Sequence, residues 1–263
     1  MIQTPITSNQ PFVMHIPPAS VEPSPRWVRV KFGGAVIADS KRVLLLRQYG
    51  PGRLPTYYFP RADVRTDALI PAASARSDGD VAYWTVRVAD QVAEHAAWTY
   101  LAPPPELAAL QDYISFEWDK MEAWFEEEEE VFVHARDTYH RVDVVRSSRH
   151  VRLVIAGTTV AETQRPSLLF ETTLPTRYYI PREDVRMELL EPTSLRTRCP
   201  YKGLASYWSA KIGDHVSRNV AWSYPDPIAE NPKIKGLICF FNERVDLYVD
   251  GELQPCPRTP WSE

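Results

Sequence analysis

Two stretches of this chain repeat each other, and that duplication limits the fold more than any other feature. "LPTYYFPRADVR" (residues 54–65) returns as "LPTRYYIPREDVR" (174–186). "AYWTVRVADQVAEHAAWTY" (82–100) returns as "SYWSAKIGDHVSRNVAWSY" (206–224). "VRVKFGGAVIADS" (28–40) matches "VRLVIAGTTVAET" (151–163), and "ISFEWDKMEAWFE" (114–126) matches "ICFFNERVDLYVD" (238–250). Four blocks in one order mean two copies of one structural unit.

Each copy has the period of β-structure. In "YWTVRV", Trp84, Val86 and Val88 fall on one face, and Tyr83, Thr85 and Arg87 on the other. The second copy sets Trp208, Ala210 and Ile212 against Tyr207, Ser209 and Lys211. Strict alternation is the mark of a half-buried strand. Ala89-Asp90 and Gly213-Asp214 then read as hairpin turns. Asn242-Glu243 is expected to turn a further hairpin, with Val245, Leu247 and Val249 on one face of its second strand. Short helices are expected at 104–111 and 227–232. The fold class is therefore mainly β: two tandem repeats of a compact small sandwich or open barrel, related as a pseudo-two-fold pair within one monomer. The boundaries read as a flexible Pro-rich arm at 1–25, a first repeat at 26–130, a junction at 131–147, a second repeat at 148–255 and a tail at 256–263.

Composition excludes several classes. The formal net charge is −4 and the arginines are scattered among acids, so no nucleic-acid partner is expected. The N-terminal segment has neither a basic region nor a long apolar run, and no stretch approaches the ~20 apolar residues of a membrane span. Three cysteines without a CxxC suit reduced thiols in the cytoplasm. The acidic run 126–130 reads as solvated surface. His134, His140 and His150 have no zinc-ligand spacing, and no cofactor or metal is expected.

"RYYIPREDVR", "RCPYKGLASYW", "AWSYPDP" and "FFNERVDLYVDGE" together resemble the DUF427 family, a domain of unknown function sometimes labelled a nucleotidyltransferase. The resemblance runs from Trp27 onward and implies a tandem two-domain member with compact, tent-like β folds. Zinc-binding relatives of such folds use paired CxxC knuckles, which this chain lacks, so the metal is not carried over. The phosphate loop of nucleotide enzymes is also missing.

"CPYKG" (199–203) is the sharpest local feature. The flanking strands recur in the first copy, but the corresponding stretch there reads "SARSDGD" and has neither cysteine nor lysine. Any chemistry here belongs to the second copy. Pro200 and Gly203 suit a tight turn, with Cys199 and Lys202 at its shoulders. A close ammonium would favour a Cys199 thiolate, a desolvated Lys202 could attack a carbonyl, and Tyr201 could donate a proton. Cys199, Tyr201 and Lys202 are the catalytic candidates. Tyr178, Tyr179 and Trp208 are candidate lining, and Arg186 a handle for an anion. Arg182, Asp184 and Arg186 share a face if the segment is extended; the first copy retains Arg61, Asp63 and Arg65, which suits a salt-bridge ladder. The expected function is a small-molecule-binding module or enzyme, with one composite site near this turn where the repeats meet and a ligand of anionic character. A structural or interaction protein is the alternative, and covalent Cys/Lys or nucleotidyl transfer a second one.

Overall fold

The computed structural model describes residues 12, 16–50, 53–72 and 81–262. Most of the segment read as an N-terminal arm, and the "SARSDGD" stretch, lie outside the described residues. The chain divides into a first domain, Ile16–Thr138, and a second, which runs over Tyr139–Glu263.

In the first domain the strands are β1 (Ser20–Pro23), β2 (Val28–Phe32), β3 (Ala35–Ser40), β4 (Leu44–Arg47), β5 (Thr56–Pro60), β6 (Leu69–Pro71), β7 (Val81–Val88), β8 (Gln91–Tyr100), β9 (Tyr113–Phe116), β10 (Ala123–Glu126) and β11 (Glu129–Val131). The second repeats them as β12 (Val142–Arg146), β13 (Val151–Ile155), β14 (Thr158–Thr163), β15 (Ser167–Glu171), β16 (Arg177–Ile180), β17 (Leu190–Cys199), β18 (Gly203–Ile212), β19 (His215–Ser223), β20 (Ile238–Phe240), β21 (Asp246–Val249) and β22 (Glu252–Leu253). Each domain has a seven-stranded and a four-stranded sheet, and neither closes into a barrel. The large sheets run β1-β4-β5-β9-β8-β7-β6 and β12-β15-β16-β20-β19-β18-β17, which is the same order strand for strand. The small sheets run β11-β10-β2-β3 and β22-β21-β13-β14.

The duplication extends to irregularities. A bulge interrupts β7–β8 pairing after Trp84 and β18–β19 pairing after Trp208. His95 and Asn219, at those bulges, both take positive φ (50° and 48°). A bulged residue leaves the ladder and turns the strand more sharply, so the bend is part of the fold that both copies need.

The expected alternation is present. Trp84, Val86 and Val88 join the inter-sheet core of the first domain, with Val28, Val30, Tyr57, Phe59 and Trp124. Trp208, Ala210, Ile212, Val245, Leu247 and Val249 do so in the second. Trp124 stacks on Trp118 at 4.1 Å. Full burial of a large apolar side chain contributes roughly 2–3 kcal/mol. The outer face of each seven-stranded sheet carries a further cluster: Leu46, Tyr58 and Leu110 in the first domain; Leu169, Tyr179, Trp222, Tyr224 and Cys239 in the second. In both, a Trp indole N–H donates to a Tyr hydroxyl and the rings meet edge-on at 87°: Trp98 to Tyr58 at 3.0 Å, Trp222 to Tyr179 at 3.2 Å.

Several expectations differ from the structure. Ser20–Pro23, in the segment read as an arm, pair with β4, and Val142–Arg146, in the segment read as the junction, pair with β15. Asn242-Glu243 does not turn a hairpin. Ile238–Phe240 belongs to the large sheet and Asp246–Val249 to the small one, so the chain crosses between sheets there. Alternation is local and cannot say which sheet a strand joins. The helices are single-turn or slightly longer 3₁₀ segments, Pro105–Leu110 and Pro232–Ile234. Of the acidic run, Glu126 is buried and accepts from Tyr57 Oη at 2.8 Å, beside Arg26; Glu127 to Glu130 are exposed.

The Arg-Asp-Arg face does not form either. Arg182–Asp184 is a 3₁₀ turn, and each aspartate reaches back to the corner after β3 or β14. Asp63 accepts from Ser40 Oγ and Arg42 Nη2, both at 2.6 Å. Asp184 accepts from Thr163 Oγ1 at 2.7 Å and Arg165 Nε at 3.0 Å. This clamp is present twice, as a feature required by the fold would be.

Candidate functional site

The turn 199–203 closes the β17–β18 hairpin, with Cys199 opposite Gly203 and Lys202 N donating to Cys199 O at 3.3 Å. Gly203 has φ +106°, and a Cβ there would lie 3.3 Å from Asp226 O and 3.4 Å from Ile228 N. Only glycine combines that backbone angle with that approach. The loop after β19 pins the turn: Ile228 N donates to Lys202 O at 3.2 Å, and Asn231 Nδ2 to Tyr201 O at 2.7 Å. Asn231 is itself buried.

Pinned in this way, the turn folds inward. Lys202 is 9% exposed and not solvent-facing. Its ammonium bonds both oxygens of Glu171, at 2.5 Å to Oε1 and closer to Oε2. Glu171 ends β15, and its parity with Leu169 puts it on the outer face of the large sheet. His140 Nε2 lies 3.0 Å from Glu171 Oε1, and the imidazole stacks on Tyr201 with ring centroids 4.1 Å apart. One carboxylate thus joins the hairpin turn, the end of β15 and the segment preceding β12. The side chains of Glu171 and His140 are 5% and 6% exposed.

Burial opposes charge on Glu171, but the Lys202 ammonium and the His140 bond prevail. They hold the carboxyl at about 2, well below the usual range. Burial likewise opposes charge on Lys202, and Glu171 more than compensates, so the ammonium is held above its ordinary value. Cys199 goes the other way from the expected thiolate. Burial pushes its thiol up, Lys202 pulls it down only in part, and Glu171 adds to the rise. A lysine committed to a carboxylate is not a neutral nucleophile, and a thiol raised in this way is not an activated one. Tyr179 and Tyr224, on the same face, are pushed well above the ordinary phenol value, chiefly by burial.

A second buried pair lies on this face. Arg177, two residues before Tyr179, makes a fork with Glu243: Nη1 to Oε2 at 2.6 Å and Nη2 to Oε1 at 2.7 Å. The tail closes over it. Thr259 Oγ1 donates to Glu243 Oε1 at 2.6 Å, and Trp261, with Trp222 and Phe241, surrounds the guanidinium.

The structure divides the residues singled out from sequence. Cys199, Tyr201, Lys202 and Tyr179 lie on the outer face of the large sheet with Glu171 and His140. Tyr178 and Trp208 point into the inter-sheet core. Arg186 is exposed and pairs with Glu188 at 2.9 Å. Glu171, His140, Arg177, Glu243 and Asn231 were missed. The strand registers supply what the sequence alone did not: Leu44 pairs with Tyr58 and Ser167 with Tyr179, which puts Gln48 at the place of Glu171. The histidines of the junction go to separate partners: His134 to Ala135 O, His140 to Glu171 and His150 to Glu162. Among the described residues no three His, Cys, Asp or Glu gather as metal ligands. No helix of the described residues is long and apolar enough to cross a membrane.

Two measurements follow. All three cysteines are unpaired; Cys256 is exposed, Cys199 half-buried and Cys239 buried. Limited alkylation followed by mass spectrometry should modify Cys256 first and Cys239 last. Labelling of Cys199 ahead of Cys256 would restore the activated thiolate. The second concerns acid. A carboxyl depressed on folding contributes stability that is complete above its unfolded value, ~4.3, and is lost as pH falls through about 2. Urea midpoints of the wild type should therefore drop over that window more than those of Glu171→Gln. Parallel profiles would show that the pair is not coupled to folding.

A family model described as a domain of unknown function, DUF427, with the short name NTP_transf_9, matches residues 20–127 and again 143–251. Comparison with curated proteins finds no match.

Proposed function

We propose a function from one premise: this chain belongs to the DUF427 family, as a tandem two-domain form. Its second domain is a small-molecule-binding module with its site at the 199–203 turn, and its first domain keeps the fold without that site. The observation that carries this reading is the buried Lys202, Glu171 and His140 cluster in one copy, against Gln48 at the equivalent register in the other. Burying an ion pair costs several kcal/mol of desolvation per ion, and a neutral replacement is often as stable. The first copy already makes the same sheet with a neutral side chain, so stability alone gives no reason to keep the charges. Strongly perturbed ionisable groups gathered on one face are a common property of binding and catalytic sites.

The ligand inferred from these groups is a small molecule with an anionic group, since a carboxylate is what Lys202 and His140 now hold. Binding is favoured over covalent catalysis because Cys199 is kept as a thiol and Lys202 as an ammonium. The three unpaired cysteines suit a reducing, cytoplasmic setting. A structural staple is the competing reading, favoured by the mutual satisfaction of Glu171 and Lys202.

Native mass spectrometry of the full chain after exposure to cell extract separates the two. A binding module retains a metabolite, and the paired neutral variant Lys202→Met with Glu171→Gln loses it while still melting cooperatively. Retention of nothing by the wild type, or equal retention by the double variant, leaves the staple.

A further inference from the structure

The corner after β14 differs from its counterpart in the first domain in one informative way. In the first domain, Trp27 precedes β2. Its backbone N–H donates to Glu127 Oε1 at 2.9 Å, and its indole N–H donates to Asp39 Oδ1 at 2.6 Å. The ring lies between Arg29 at 4.1 Å and Lys41 at 5.0 Å. In the second domain His150 holds that place. Its backbone N–H donates to Asp250 Oδ1 at 3.0 Å, and its Nε2 lies 2.7 Å from Glu162 Oε1. The registers Arg29 with Asp39 and Arg152 with Glu162 make the two positions equivalent. Gln164 stands where Lys41 covers the indole.

The smaller imidazole leaves a depression of about 470 Å³, lined by His150, Glu162, Thr163, Gln164, Arg165 and Asp184. That volume is in the range of small-molecule sites. One wall is held by the Thr163, Arg165 and Asp184 clamp, which is retained in both domains. It keeps the strand carboxylate that holds the indole in the first copy, here Glu162, with one oxygen used by His150 and a second as acceptor; the Arg165 guanidinium stands at the far wall, while Arg152, the counterpart of Arg29, lies over Tyr248 instead. The first domain thus shows the corner filled by the chain's own ring, and the second shows it open.

We propose that this depression binds a free planar heteroaromatic ring carrying a ring N–H, of about the size of an indole. The ring N–H donates to Glu162, as Trp27 donates to Asp39, and the ring lies in the space vacated by the indole. The inference does not depend on the reading of the 199–203 turn, which lies on the other sheet.

Indole itself is the probe, titrated into the full chain and followed by ligand-observed NMR. The wild type should show one saturable site. His150→Trp, which restores the residue of the first copy, should weaken binding at least about tenfold. Trp27→His should add a second site. Because the ring N–H bond to a charged acceptor is the proposed anchor, 1-methylindole, which lacks that donor, should bind several-fold more weakly than indole. Glu162→Ala, at an exposed strand position, should weaken indole similarly and serves where either ring exchange perturbs folding. No saturable binding to the wild type would overturn the proposal. So would binding unchanged by both His150→Trp and Glu162→Ala, or equal binding of 1-methylindole.

Discussion

Lys202→Ala is expected to destabilise the second domain by about 3–5 kcal/mol, far more than loss of a surface lysine, for which ~0–1 kcal/mol is usual. The reason is what remains. Glu171, with 5% of its side chain exposed, would keep only His140 as partner. An uncompensated carboxylate in that position must either bear the desolvation cost or take up a proton. Glu171→Gln alone strands the ammonium and should cost a similar amount. The double variant, Lys202→Met with Glu171→Gln, should recover most of the loss, because Gln48 serves in the first domain. Urea denaturation followed by tryptophan fluorescence would measure all three. Additive losses in the double variant would mean that the pair is not the unit described. A loss below about 1 kcal/mol for Lys202→Ala would mean that the turn is open to solvent.

Arg177→Ala is the second large expectation, again about 3–5 kcal/mol. Glu243 has 0% side-chain exposure and takes both its charged bonds from Arg177. This variant should have a further local consequence. Thr259 and Trp261 hold the tail to that pair, so the tail should loosen before the sheet melts. Arg258 is exposed and lies within the tail. Trypsin should cut there faster in the variant under conditions where the rest of the chain resists. Unchanged cleavage would mean that the tail is held by other contacts. The same side chain in the first domain is Thr56, so the equivalent change there should be nearly neutral.

The sequence determined much of this by itself. Two copies, a mainly β class and the hairpin turns at Ala89-Asp90 and Gly213-Asp214 all follow from repetition and period 2. So do the inward faces at Trp84, Val86 and Val88. These are local properties, set by neighbours a few residues apart. The tight turn at 199–203 was equally legible, because Pro and Gly constrain the backbone wherever they occur, and so was the occurrence of its Cys-Pro-Tyr-Lys-Gly sequence in one copy only. What the turn does was not. The sequence set Lys202 at the shoulder of a turn, where nothing local decides whether a lysine is buried or what it pairs with. Its partner lies 31 residues away at the end of another strand. Glu243 looked like part of a hairpin, yet it answers an arginine 66 residues away. Period 2 assigns faces within a strand but not the sheet it joins. It therefore could not show that Tyr178 and Trp208 share the inter-sheet core while Tyr179 faces Glu171. Charge pairing is decided by strand order and register, which only the tertiary structure fixes. That is why Glu171, the carboxylate at the centre of the candidate site, did not stand out in the sequence.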